Sequence, residues 1–244
     1  MKNRGLLWLA VLPCLGLLTA VCGETRDAKG YGKTPRNAAR AASAKVPPAT
    51  GKPFLENFDG EAAGKPPSHF SFARTGQGAE GSWVVKEDPT APSKPNVLAQ
   101  LSADTTDYRF PLAIREDGAY QDVAVSVKFK AVSGKVDQAG GIVFRLQDPN
   151  NYYIVRANAL ENNYRLYHVV AGRRQQFAGA NFHVTGNQWH TLRVIAVGNQ
   201  LKCYYDGELK ITATDNTFAG AGKVGLWTKA DSVTYFDDFE LSKP

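Results

Sequence analysis

From residue 53 onward the chain consists of short apolar runs that alternate with polar residues and are cut apart by turn signals. The clearest is Val123-Ala124-Val125-Ser126-Val127-Lys128-Phe129-Lys130, where every second side chain is larger and apolar. A period of two places those side chains on one face of an extended segment, so each run has one side to bury. Gly141 to Leu146, Tyr152 to Asn158, Tyr164 to Val170, His190 to Val197, Leu201 to Tyr205, Leu209 to Ala213, Lys223 to Trp227 and Val233 to Leu241 read the same way. Phe54 to Phe58, Trp83 to Lys86, Val97 to Leu101 and Tyr108 to Phe110 are weaker strand candidates among prolines. Between the runs lie Asp148-Pro149-Asn150-Asn151, Glu161-Asn162-Asn163, Ala171-Gly172, Gly198-Asn199 and Ala221-Gly222. Asp206-Gly207 predicts a two-residue hairpin, because both central positions of a type I′ turn need positive φ. Many short strands without an amphipathic helix between them predict an all-β fold, an antiparallel β-sandwich over residues 53–244.

The N-terminal fifth has a different texture. Lys2 and Arg4 precede an apolar stretch from Leu6 to Ala20 that is interrupted by Pro13 and Gly16. Residues 1–23 therefore read as a secretory signal peptide, and the expected location is exported. The run falls short of the ~20 apolar residues of a membrane span, and no second one follows, so no transmembrane segment is expected after its removal. Leu18-Thr19-Ala20-Val21-Cys22 resembles the cleavage signal of bacterial lipoproteins, with Val21 and Thr19 departing from the usual residues. A lipid anchor at Cys22 and plain cleavage both stay open. Residues 24–52 are rich in Ala, Lys, Arg, Gly and Pro and have almost no large apolar side chains, which predicts a disordered basic linker.

That linker decides how the charge is read. The chain carries a formal net charge of +6. Lys2 and Arg4, with Arg26, Lys29, Lys33, Arg36, Arg40, Lys45 and Lys52 against Glu24 and Asp27, more than account for it. The folded part is close to neutral, so no nucleic-acid partner is expected. Cys203 stands alone inside an apolar strand and reads as a packed small hydrophobe.

The order of several signatures resembles the concanavalin A-like lectin/glucanase superfamily, and more narrowly laminin-G-like domains of exported bacterial proteins and the 3-keto-disaccharide hydrolase family. The matching pieces are Glu56-Asn57-Phe58-Asp59-Gly60, Gly140-Gly141-Ile142-Val143-Phe144-Arg145, Asp148-Pro149-Asn150-Asn151-Tyr152-Tyr153, Trp189-His190-Thr191-Leu192-Arg193-Val194, Tyr204-Tyr205-Asp206-Gly207, Gly225-Leu226-Trp227 and Phe236-Asp237-Asp238-Phe239-Glu240-Leu241. The resemblance implies a jelly-roll sandwich with one concave sheet. In that frame Trp189 and Phe144 are expected to fill the space between sheets, and Gly140 and Gly141 to permit a bulge or close backbone approach.

The fold's glucanases carry a Glu-x-Asp-x-x-Glu strand motif, which sets carboxylates on one face for a retaining mechanism. No such string occurs, and His69, His168, His183 and His190 lack a paired metal-ligand spacing. His190, beside Trp189 at a strand start, reads as a hydrogen-bonded structural residue. The polar and aromatic residues concentrate on three consecutive strands: Arg145, then Tyr152, Arg156 and Asn158, then Arg165 and Tyr167. Side by side these would line a surface of stacking rings and fork-shaped donors, which suits a carbohydrate or glycoconjugate partner. A calcium ion is the one candidate cofactor, with Glu56, Asp59 and Asp238 as oxygen ligands if the first and last strands are neighbours. Three functions follow as expectations: a glycan-binding module, a hydrolase of 3-keto-glycosides implied by the resemblance alone, or a structural adhesion module.

Overall fold

The computed structural model describes residues 51–244, and the expected signal peptide, the Cys22 anchor and the linker up to residue 50 lie outside the described residues. Fifteen strands follow one another: β1 (Phe54–Glu56), β2 (Phe70–Gly76), β3 (Trp83–Glu87), β4 (Asn96–Gln100), β5 (Arg109–Arg115), β6 (Val123–Ser133), β7 (Ala139–Asp148), β8 (Asn151–Asn158), β9 (Asn163–Val170), β10 (Arg173–Asn181), β11 (His190–Val197), β12 (Gln200–Tyr205), β13 (Glu208–Thr214), β14 (Lys223–Thr228) and β15 (Val233–Ser242). They form two antiparallel sheets. One runs β13-β12-β11-β6-β15-β4-β3 with β1 added on β15, and the other runs β10-β9-β8-β7-β14-β5-β2.

The alternation read in β6 is what joins the sheets. Val123, Val125, Val127 and Phe129 are completely buried in the main core, while Lys128 stands half-exposed on the other side. Phe144 of β7 stacks on Tyr153 of β8, and Trp83 of β3 packs on Phe236 of β15. Gly140 has the close approach expected of it: a Cβ there would come within 2.9 Å of both Phe129 and Thr234. Cys203 is fully buried in the same core, and burial pushes its thiol well above its ordinary value. Asp206 and Gly207 join β12 to β13 with φ of 48° and 82°, as a type I′ turn demands.

Trp189 departs from its expected place. It stays half-buried on the outer face of the first sheet, donates to Thr90 Oγ1 (3.1 Å), and has the Lys130 ammonium 5.0 Å from its ring centre. Lys130 and Trp189 both reach the 88–90 loop there. Trp83, from an early strand, fills the core instead. His190 is structural as expected, with Nδ1 2.8 Å from Asp206 Oδ2 and Nε2 3.1 Å from the Thr185 carbonyl.

The second sheet twists until opposite corners meet over its outer face. Thr75, at the end of β2, donates to the Pro149 carbonyl (2.5 Å) and lies 2.8 Å from Tyr152 Oη at the start of β8. Tyr108 donates to the Gly172 carbonyl (2.9 Å) and accepts from Arg174 N (2.9 Å). Three strands (β7, β14 and β5) separate β2 from β8, so only a strongly coiled sheet brings these groups together. The curl encloses a second apolar cluster of Phe110, Leu112, Val143, Tyr152, Ile154, Tyr167, Val169 and Trp227.

Candidate functional site

The register of the second sheet sets the site. Gly141 of β7 lies opposite Arg156 of β8, and Arg156 opposite Arg165 of β9; one step along, Ile154 lies opposite Tyr167. Arg156, Arg165 and Tyr167 therefore share the outer face, side by side as the sequence pattern required. Gly141 leaves room there: a Cβ would come within 2.9 Å of the Arg156 stem.

Arg156 is almost wholly buried, with Nη1 donating to Asn163 Oδ1 (2.5 Å) and Nη2 to Glu161 Oε2 (2.7 Å) and Tyr167 Oη (3.1 Å). Its guanidinium sits 5.7 Å from the Tyr167 ring centre. Arg174, on the edge strand β10, lies 4.5 Å from the centre of the same ring, 4.6 Å from that of Phe110 and 5.6 Å from that of Trp227. Phe110 and Trp227 stack at 5.3 Å. Arg174 Nη1 and Arg156 Nε are both enclosed and have no acceptor among the described residues. Arg165 is half-exposed and donates to the Ala180 carbonyl (2.9 Å) and Asn181 Oδ1 (2.6 Å).

Asn158 lies on this face but is turned into a polar network beneath it. Its Nδ2 donates to Asp137 Oδ1 (2.5 Å), and its Oδ1 accepts from the backbone of Leu160 and Glu161. Asp137 is fully buried and pairs with Lys229 Nζ (2.8 Å), which also reaches Asp107 (2.6 Å). Burial pushes the Asp137 carboxyl above the usual range, against the pull of Lys229. The turn carrying Asp137 is fixed by Asp231, whose carboxylate accepts from the backbone N–H of Lys135 (2.6 Å), Val136 (3.0 Å) and Asp137 (3.0 Å).

Two expected ligand residues sit elsewhere. Tyr152 is fully buried in the second apolar cluster, where burial pushes its hydroxyl up to about 12. Arg145 leaves the face at a register shift in β7, with φ of 48°. Its guanidinium donates to the carbonyls of Gln121 (2.8 Å), Phe218 (3.0 Å) and Gly198 (2.6 Å), tying together three loops at one end of the sandwich. The residues that sequence reasoning missed are Arg174, Asp137, Glu161 and Lys229. Arg174 falls in a segment without alternation, and the others lie in turns or at strand ends, where periodicity is silent.

The first and last strands are neighbours, since β1 pairs with β15. The three carboxylates named for calcium are nevertheless held by protein donors. Glu56 accepts from Phe58 N (3.0 Å) and pairs with Arg115 (2.9 Å); Asp59 accepts from Asn96 N (2.9 Å); Asp238 accepts from Ser93 Oγ (2.5 Å). Among the described residues no group of three or more His, Cys, Asp or Glu is placed to hold a metal ion. Each of the three carboxylates is thus engaged by a protein donor.

Comparison with known families matches residues 74–242 to the 3-keto-alpha-glucoside-1,2-lyase-like domain. The chain belongs to this family. Its fold is shared with the carbohydrate-binding module CBM66 from Bacillus subtilis, at TM-score 0.55 and 21% identity over 70% of this chain and 95% of that one. A Bacillus licheniformis beta-glucanase matches at TM-score 0.52 and 15% identity, covering 80% of this chain and 99% of the glucanase. A GH43 protein from Bacillus licheniformis matches at TM-score 0.53 and 17% identity, over 78% of this chain and 39% of its own. At these identities the likeness is one of fold. A comparison with curated protein sequences finds no significant match. This family member is thus a jelly-roll sandwich of the concanavalin A-like kind.

Proposed function

We propose that this domain is an exported glycan-recognition module that takes a sugar at the curled sheet, against Arg156, Arg165, Tyr167 and Arg174. The observation that carries this reading is the pair of guanidiniums laid against one tyrosine ring, at 5.7 and 4.5 Å, each keeping an N–H without a protein acceptor. Buried donors are normally satisfied, so orphaned ones on an aromatic floor mark a place where a ligand supplies the oxygen. Sugars have the matching form, since their ring and hydroxyl oxygens accept from guanidinium N–H groups. The likeness in fold to a carbohydrate-binding module supports the same class of partner. A glycan array probed with the wild-type chain and with the Arg174→Ala, Arg165→Ala double variant tests it. Binding by the wild type that the variant loses supports the reading; a wild type that binds nothing, or a variant that binds equally, removes it.

The family match itself favours a second reading, cleavage of a 3-keto-glycoside. Removing the proton beside the ketone places negative charge on the keto oxygen, and fixed guanidinium donors stabilise such a charge. Of the nearby carboxylates, Glu161 is opposed by burial but paired with Arg156, which outweighs burial and weakens it as a base, while burial keeps Asp137 above the usual range despite its Lys229 partner. Incubation with 3-keto-glucosides, followed for released aglycone, decides between the two; release no faster than the blank leaves recognition alone. Export is tested by fractionating cells that express the full chain alongside Cys22→Ser, which removes a lipid-dependent membrane fraction and leaves plain secretion unchanged.

A further inference from the structure

The opposite side of the molecule carries an open hollow of about 360 Å³, on the outer face of the first sheet. It is lined by Leu55 of β1, Ser126 and Lys128 of β6, Thr191 of β11, and Asp238 and Glu240 of β15. Its shape comes from a bulge. The register of β15 against β6 shifts between Asp237 and Glu240, and Asp238 adopts a left-handed φ of 46°. Asp238 and Glu240, two residues apart, share a strand face by ordinary alternation, and both side chains line the hollow. Ser93 fixes the arrangement by donating to Asp238 Oδ1.

The polar groups of this hollow are chemically mixed and lightly used. Lys128 Nζ donates to Thr191 Oγ1 (2.9 Å), and among the described residues Glu240 receives a long contact from Ser126 Oγ (3.4 Å). One step along β6 and β11, the half-buried Trp189 ring lies against the Lys130 ammonium. Leu55, 65% exposed, forms an apolar wall.

We infer that this hollow is a second saccharide site, which binds a neutral sugar residue by accepting hydrogen bonds from two of its hydroxyls on Asp238 and Glu240 while Trp189 stacks the next residue of the chain. Carboxylates are strong acceptors for sugar hydroxyls, because the ionised partner shortens and strengthens the bond. Lys128 supplies a donor for a hydroxyl or ring oxygen and offsets one of the two negative charges. The volume falls in the range of small-ligand sites, ~300–1,000 Å³. Uronates and sulfated sugars are disfavoured, since they would set their own charge against the carboxylate pair. The site shares no residue with the curled-sheet site on the other face.

The test is calorimetric titration of the full chain with a panel of neutral gluco-, galacto- and fructo-oligosaccharides, using wild type, Trp189→Ala, Glu240→Gln and, for the other face, Arg174→Ala. The site predicts that one panel member binds with at least a tenfold loss of affinity in both Trp189→Ala and Glu240→Gln, and that this binding persists in Arg174→Ala. Wild-type thermal melting temperatures in the two surface variants keep a folding defect from imitating the loss. Unchanged affinity in Trp189→Ala or Glu240→Gln overturns the inference. So does binding lost only in Arg174→Ala, or no binding by the wild type at 10-millimolar order of ligand.

Discussion

The guanidinium of Arg174 lies 4.5 Å from the centre of the Tyr167 ring, and it covers that ring together with those of Phe110 and Trp227. An edge-strand cation thus seals the floor of the curled sheet, and cation–π attraction there is worth about 0.5–2 kcal/mol, depending on how dry the site is. Arg174→Ala is expected to cost about that much in urea unfolding and to raise acrylamide quenching of the Trp227 fluorescence. A variant with unchanged quenching would show that Arg174 does not cover the ring. Arg174→Lys should recover part of the stability but not glycan binding, since an ammonium lacks the planar fork.

Asp231 should give the domain an acid-sensitive turn. Burial works against its ionisation, but the backbone N–H groups of Lys135, Asp137 and Val136 outweigh this and hold the carboxyl below its ordinary range. A folded-state pKa below the unfolded ~3.9 contributes stability that is present above about pH 4 and is lost as pH falls through the folded value. Asp231→Asn is therefore expected to destabilise at pH 7 by about 1–3 kcal/mol, with the difference from wild type shrinking below pH 4. Denaturant midpoints measured from pH 3 to 7 check this; a gap that stays constant with pH would contradict it.

Arg145 is predicted to act on stability without acting on binding. Its fully buried guanidinium serves the carbonyls of Gln121, Phe218 and Gly198. Arg145→Met leaves those acceptors unpaired, at a cost of about 2–4 kcal/mol. The variant should melt well below the wild type, and at temperatures where it is folded it should bind glycan with unchanged affinity.

Cys203 is expected to be silent toward thiol reagents. It is fully buried, and burial pushes its thiol away from the reactive thiolate. Ellman's reagent should label it only in denaturant. Fast labelling of the native domain would mean that the sheet around β12 opens readily.

The strands most legible in the sequence were those with one dry face. In β11 the alternation of His190 to Val197 matched the burial seen, because a core lies on one side only; in β6 Val123, Val125, Val127 and Phe129 face the core as read, although Ala124, Ser126 and Lys130 on the other face are covered too. β10 escaped notice: Arg173-Arg174-Gln175-Gln176 has no apolar period, since an edge strand with largely wet faces needs none. β2 was missed as well, lying at the opposite edge of the same sheet. The same logic explains the site. Arg156, Arg165 and Tyr167 fell together because strand period and register are local properties. The coiling that buries Tyr152, the bulge that turns Arg145 away, and the reach of Arg174 across three rings depend on the whole sheet.

The central claim is that Arg156 and Arg174 hold donors in wait for a sugar oxygen, and their guanidinium resonances test it most directly. In a ¹⁵N-labelled sample titrated with a glycan selected on the array, the Arg156 and Arg174 Nε–Hε signals should shift in step with ligand concentration, while that of Arg145 stays fixed. Shifts spread evenly over surface arginines, with Arg156 and Arg174 unmoved at saturation, would contradict it.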